Sequence, residues 1–283
     1  MFGSGFGLLS YIFNSEADDM KKEMKKTLKQ AQDARETAEY NYNNNRQYAE
    51  QEVNKLEYVK GIVWNDSICI FQEKMKELKN ININVYDKMP FISKDTSQWN
   101  NMGEFQKTEM TLKEYAKVHV FSEIFQFNSA PAFFSMLKAE ENLEKAREYA
   151  AESNYETEQI NTRSMLLYHL GNLSKTYSSF IEIYMERCKE ATIRLAEILH
   201  TAKIEQRKRI INKAKDYFNV EWQVDFNKLS DNDQRTIQVI YIMNNILYEV
   251  IKQPLISSGG QIVQEATTKI KQADNTMKSL PYV

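Results

Sequence analysis

The chain has 283 residues, 42% of them hydrophobic and 27% charged, with a formal net charge of −2. It is long enough for a sizeable core and too apolar for a disordered chain. The near-neutral balance excludes a strong general attraction to nucleic acid, which needs excess Lys and Arg to neutralise phosphates, although local basic patches remain.

Residues 1–13 (MFGSGFGLLSYIF) carry no charged side chain, and Glu16, Asp18, Asp19 and then Lys21, Lys22, Lys25, Lys26 and Lys29 follow at once. Apolar surface of this kind has to be covered by the protein's own core, by a partner or by the edge of a bilayer. The lysines come after the apolar stretch, so it does not read as a cleavable secretory leader, and it is shorter than the ~20 residues of a spanning helix. Residues 1–14 are therefore set apart as an apolar segment. Phe2, Phe6, Leu8, Leu9, Ile12 and Phe13 with the five lysines form a candidate membrane-binding set, burying apolar side chains at the acyl boundary while ammonium groups meet anionic head groups.

The chain holds only 8 glycines and 4 prolines, and the glycines concentrate at Gly3, Gly5, Gly7 and at Gly259, Gly260, so long stretches run without a breaker. From Ser15 to about Asn80, apolar or small residues at Met24, Leu28, Ala31, Ala38, Tyr42, Ala49, Val53, Leu56, Val59 and Val63 mark one stripe of a helix with coiled-coil-like spacing. Unbroken, such a helix is on the order of 95 Å long. Ser15 is the expected N-cap, with Asp18 and Asp19 in the first turn. Arg35 and Asn45 interrupt the stripe as polar seam residues that set register or choose a partner helix, which makes them the candidate partner-binding residues.

Residues 80–104 (with Pro90 and clustered Asn and Ser) read as an irregular connector, and 118–137 as an aromatic elbow bent at Pro131. A second long helix is expected from Ala132 to about Phe218, its stripe running from Leu143 and Ala146 through Leu167, Tyr177 and Cys188 to Leu195 and Ile198, with Gly171 as its soft point. Residues 220–283 form a shorter part. Ser230 with Asp233 makes an approximate capping box, the run Ile237 to Ile251 is apolar nearly all round, Pro254 stops it, and a last helix of about 18 residues ends near Lys278.

Other constellations have plain readings. Lys203, Arg207, Lys208, Arg209, Lys213 and Lys215 beside Tyr217, Phe218 and Trp222 point in several directions around a helix, as a solvated face does. Asp225, Asp231, Asn232 and Asp233 lack the glycine and glutamate of a calcium loop and read as helix caps. His119, His169 and His200 are scattered singly, which suggests neither a zinc site nor a histidine-assisted nucleophile. Cys69 and Cys188 read as two free thiols in a reducing compartment. No motif calls for catalysis, a cofactor or a metal.

The segment FGSGFGLLSYIF, the run Ala31 to Glu52, the stretch around Trp64, the run Lys138 to Ser153 and the segment Leu229 to Pro254 together resemble a largely uncharacterised bacterial family of long-helix proteins. The resemblance implies a glycine-rich apolar start leading into long helices, and, in relatives, a Gly/Ala-rich hydrophobic central hairpin suited to membrane insertion. Between Gly103 and Lys138 this sequence carries a shorter, aromatic, Glu-containing stretch instead, which leaves the amino end as the lipid candidate. The general plan is also similar to that of helical pore-forming cytolysins, as architecture only.

The expectation is an elongated all-α protein: an antiparallel helical hairpin or coiled-coil bundle over residues 15–219 with a C-terminal helical part packed beside it. Its expected role is non-enzymatic, at a cytoplasmic, peripheral membrane location, with an anionic membrane surface as partner and self-association into a homo-oligomer there. The alternative is a soluble coiled-coil scaffold, for example in a defence or phage-related assembly, whose seam residues select a partner protein helix.

Overall fold

The computed structural model describes the backbone of residues 5–81, 143–211, 223–256 and 262–283, and side chains from residue 18 onward within those ranges, apart from 209–211. The described residues are almost wholly helical, so the all-α class expected from the apolar periodicity is the class found. Helix α1 spans Gly5–Val63, a π turn covers Trp64–Ile68, and α2 is Cys69–Met75. A two-residue strand β1 (Leu78–Lys79) follows; then come α3 (Leu143–Ile211), β2 (Val224–Asp225), a 3-10 turn (Phe226–Lys228), α4 (Asp231–Lys252) and α5 (Gln264–Ser279). The connector at 82–104, the aromatic elbow at 118–137 and the loop glycines Gly259 and Gly260 lie outside the described residues.

The first helix begins earlier than expected. Its backbone is helical from Gly5, so Ser15 lies inside α1 and not at its start, because the chain ahead of it already supplies the first turns. Gly171 does not soften α3, which continues through it as one helix of 69 residues.

The chain divides into two compact units, Met1–Glu50 with Lys117–Gly171, and Gln51–Ala116 with Asn172–Val283. In the first, the predicted stripe residues Met24, Leu28 and Ala31 of α1 pack with Ala146, Tyr149 and Ala150 of α3. Much of this seam is small, and Gly171 shows why: a Cβ there would lie 2.6 Å from the Tyr48 ring and 3.3 Å from the Cα of Ala49. Glycine accommodates that approach of the two backbones with nothing displaced, whereas any Cβ requires the Tyr48 ring to move.

The direction of the pairing corrects the expected antiparallel hairpin. In the first unit Glu23 pairs with Arg147, Arg35 with Glu156 and Asn45 with Ser164. In the second, Lys55 pairs with Glu182, Asp66 with Lys189 and Glu77 with Lys203. Residue numbers rise together on both helices, so α1 and α3 run parallel in each unit. β1 and β2 also pair parallel, Leu78 opposite Val224 and Lys79 opposite Asp225. A short turn forces antiparallel neighbours, but roughly sixty residues separate β1 from α3, about 90 Å of chain even at helical rise, so the connection does not impose a reversal.

The second unit holds the larger core. Helix α4 starts as predicted: the Ser230 hydroxyl accepts from the Asp233 amide at 3.1 Å and donates to its carboxylate at 2.7 Å. From Ile240 to Tyr248 every residue of α4 is buried, which is what a run apolar nearly all round demands. Trp64 and Phe71 face α4, and α5 packs along it. Tyr177 of α3 donates to the Ala266 carbonyl and Tyr184 to Asp274, tying α5 to α3. Arg187 donates to the carbonyls of Met277, Leu280 and Pro281 and stacks over the Tyr282 ring, 4.6 Å away, satisfying acceptors left open where α5 ends.

Candidate functional site

The site singled out by the sequence sits on the first stretch of α1. Lys21, Lys22, Lys25, Lys26 and Lys29 are all exposed, while Met24 and Leu28 between them are buried against α3. At 3.6 residues per turn the five lysines fall within an arc of about 140°, so one side of the helix presents all of them. The acidic residues nearby weaken this face little. Lys22 stands 3.6 Å from Asp19 with both side chains more than three-quarters exposed, a geometry that contributes ~0–1 kcal/mol. Glu23 is drawn away to Arg147 at 2.8 Å.

Phe6, Leu8, Leu9, Ile12 and Phe13 belong to the helical backbone of α1, whereas Phe2 lies outside the described residues. The apolar run and the lysine face are therefore carried by one uninterrupted helix, with Lys21 about 12 Å and Lys29 about 24 Å along the axis from Phe13.

Arg35 and Asn45, expected to select a partner helix, engage α3 of the same chain. Arg35 is 9% exposed, with its guanidinium 2.6 Å from Glu156 and its Nε donating to Glu39 at 3.0 Å. The approach to Glu156 is close without being aligned as a hydrogen bond, so it acts chiefly as a charge pair. Asn45 donates to the Ser164 hydroxyl at 2.9 Å and, at 3.3 Å, to its carbonyl. Both side chains are thus committed to the internal seam, where they fix the register of α1 on α3.

The second basic cluster does not form a shared face among the described residues. Lys203 turns to Glu77 at 2.6 Å, Lys74 meets the other oxygen of the same carboxylate at 2.9 Å, and Arg207 and Lys208 are exposed. Lys213, Lys215, Tyr217, Phe218 and Trp222 lie outside the described residues. Partial burial alone would raise the Glu77 pKa, but the hydrogen bonds and charges of Lys203 and Lys74 outweigh it and hold the carboxyl below its ordinary value. That group is a clamp at the β1 end of the bundle, and nothing in the sequence pattern pointed to it because its members lie 126 residues apart.

The remaining singled-out residues have structural work. Asp225 accepts from the amide of Asn227 and Asp233 closes the α4 cap, as expected of capping residues. His169 and His200 are exposed, His169 beside the Tyr168 ring, while His119 lies outside the described residues. Cys69 and Cys188 are free thiols, the latter fully buried. Among the described residues no three His, Cys, Asp or Glu side chains gather as metal ligands, and no helix is long and apolar enough to cross a membrane.

No protein-family model, curated protein or solved structure matches this chain. The class defined by fold and site is that of an all-α protein with two parallel-running long helices and an exposed lysine face at the start of the first.

Proposed function

We propose that this chain is a non-enzymatic helical protein that attaches to anionic membrane surfaces through residues 1–13 and the lysines that follow, with self-association at the surface. The reading is carried by one observation: Lys21, Lys22, Lys25, Lys26 and Lys29 stand exposed on one arc of the same helix that carries the apolar run. A helix entering the head-group layer by its apolar end keeps its lysines within reach of lipid phosphates, each nearby lysine being worth ~1 kcal/mol on an anionic leaflet. Apolar burial and charge reinforce each other, and neither alone gives stable anchoring.

Flotation with phosphatidylserine-containing vesicles tests the proposal. Full-length protein is expected to float, and a chain lacking residues 1–14 or carrying Lys→Gln at the five positions to stay in the dense fraction. Equal recovery of all three removes the reading. The competing scaffold reading is favoured by exposed apolar side chains on α3, Ile183 at 67% and Ile193 at 62%. Light scattering separates them: a concentration-dependent oligomer indifferent to lipid supports the scaffold, and a monomer that assembles only on vesicles supports attachment.

A further inference from the structure

The first unit carries two charged rows of opposite sign. Lys21, Lys25 and Lys29 follow one another at four-residue steps on α1, and Glu144, Glu148 and Glu152 do the same on α3, with all six side chains exposed. In both rows each step advances about 6 Å along the helix and about 40° around it, so the rows share one pitch. The Glu23–Arg147 pair sets them at the same level of the parallel helices. Around each helix, the five-lysine face is centred about 125° from the buried seam residues and the glutamate row about 150° from them. Both are turned to the outer side of their own helix, and among the described residues no ion pair joins them.

A solvated helix surface does not call for rows of this kind. Opposite charges four residues apart stabilise a helix, and like charges at that spacing destabilise it. Each row puts like charges there twice. The bases beside the glutamates are spent elsewhere, since Arg147 pairs with Glu23 and Lys145 is not free. The lysine row is also bounded by exposed acids, Asp18 and Asp19 before it and Asp33 and Glu36 after it. A row of carboxylates laid along this face therefore meets lysines throughout in one register, and sliding it either way brings like charges together.

We infer that the glutamate row of α3 is the docking face for the lysine row of α1 in a second copy of this chain. Laid side by side, rows of one pitch form a ladder in which each Lys Nζ donates to a Glu carboxylate, with about 6 Å between rungs. Tyr155, 64% exposed, stands in the same arc as the glutamates and adds an apolar ring beside them. The docking and receiving faces differ, so a copy held by its lysines still offers its glutamates to another, and association propagates into a ring or an open array. Exposed ion pairs contribute little singly, so the contact is weak in dilute solution and strengthens where copies are held close together. The five lysines span a wider arc than one row of glutamates, which leaves Lys22 and Lys26 for lipid head groups. The inference supplies the contact for self-association at a membrane surface and rests on the membrane reading only for that crowding; the pairing itself needs no lipid.

Sedimentation velocity without lipid, at about 0.01 M salt where the Debye length is about 30 Å, reads the contact directly. The wild-type protein is expected to sediment faster as its concentration rises, and to lose that dependence at about 1 M salt. One variant carries Lys21→Glu, Lys25→Glu and Lys29→Glu and so has two acidic rows; another carries Glu144→Lys, Glu148→Lys and Glu152→Lys and has two basic ones. Each should lose self-association alone and pair when the two are mixed. Association that persists in each variant alone, or a mixture that stays monomeric, overturns the inference. Carbodiimide coupling of natural-abundance with nitrogen-15-labelled wild-type protein at the same low salt decides without variants. Amide links between the 21–29 and 144–152 peptides of differently labelled chains support the contact, and their absence overturns it. Flotation reports on the membrane reading separately: a chain with Gln at all three glutamate positions keeps every lysine, so it should lose self-association and still float with anionic vesicles. Wild-type protein that pairs without lipid and fails to float would sink the membrane reading and uphold the contact.

Discussion

At the residue scale, Gly171 carries more of the architecture than its size suggests. Adding a methyl group there gains about 1 kcal/mol of helix propensity, but the new Cβ meets the Tyr48 ring and the Ala49 backbone. The ring stands half-buried against Tyr168 and can swing away; the Ala49 backbone gives only slightly. Gly171→Ala is therefore expected to change stability by less than about 1 kcal/mol, and Gly171→Leu to lose about 1–3 kcal/mol through overpacking. Urea denaturation measures both, and equal midpoints for the two variants would show that the helices do not meet closely at this point. The thiols give a second residue-scale test. Burial pushes Cys188 up to about 12, and burial with the neighbouring Glu73 raises Cys69 as well. Because the thiolate is the nucleophile, a disulfide reagent at pH 8 is expected to modify Cys69 slowly and Cys188 only after denaturant is added. Rapid labelling of both thiols in the native protein contradicts the packing of α3. Gly171 was visible in the sequence, but Tyr48 and Ala49, the contacts that give it meaning, lie more than a hundred positions away.

At the scale of elements, the apolar stripes were legible almost residue by residue. Every predicted stripe position of α1 from Met24 to Val63 is buried, because a helix in water must turn its repeating apolar face inward. The start of α4 at Ser230 and its end before Pro254 were legible for an equally local reason, since caps and proline act on their own turn. The clamp of Glu77 with Lys74 and Lys203 was not, and it makes a pH prediction. A carboxylate whose folded pKa lies below its unfolded value adds stability that is fully present above the unfolded pKa and is lost as pH falls through the folded one. Glu77 and Asp274 both stand in that position. For each, partial burial pushes upward and is outweighed by its hydrogen bonds, from Lys203 and Lys74 in the first case and from Lys278 and Tyr184 in the second. The second unit is thus expected to lose stability as pH drops below the ordinary carboxylate range, near 4. Glu77→Gln should flatten part of that slope in denaturation curves taken between pH 6 and pH 3. An unchanged slope in the variant would mean that the clamp is open in solution.

At the scale of the whole molecule, near-neutral net charge and a local lysine face act at different ranges. The total of −2 gives the protein no general pull toward anionic surfaces, so the electrostatic part of the proposed attachment rests on five charges held together on α1. Screening then offers a direct test, because the Debye length shrinks from about 10 Å at 0.1 M salt to about 3 Å at 1 M. Vesicle recovery is expected to fall strongly over that range, leaving a salt-resistant remainder that disappears with residues 1–14. Recovery indifferent to salt would remove the lysines from the proposed mechanism.

The sequence by itself determined that this chain is helical, which faces of its helices are buried and where α4 begins and ends, since periodicity and capping are properties of neighbours along the chain. Tertiary structure alone decided that α1 and α3 run parallel in each unit, that Arg35 and Asn45 spend their polarity on an internal seam, and that Glu77 meets Lys203 across 126 residues of chain. A stripe on a helix looks the same whichever way its partner runs. Direction is set by how the intervening chain returns and by which polar side chains meet across the seam, and those pairs are formed by residues that no local pattern connects.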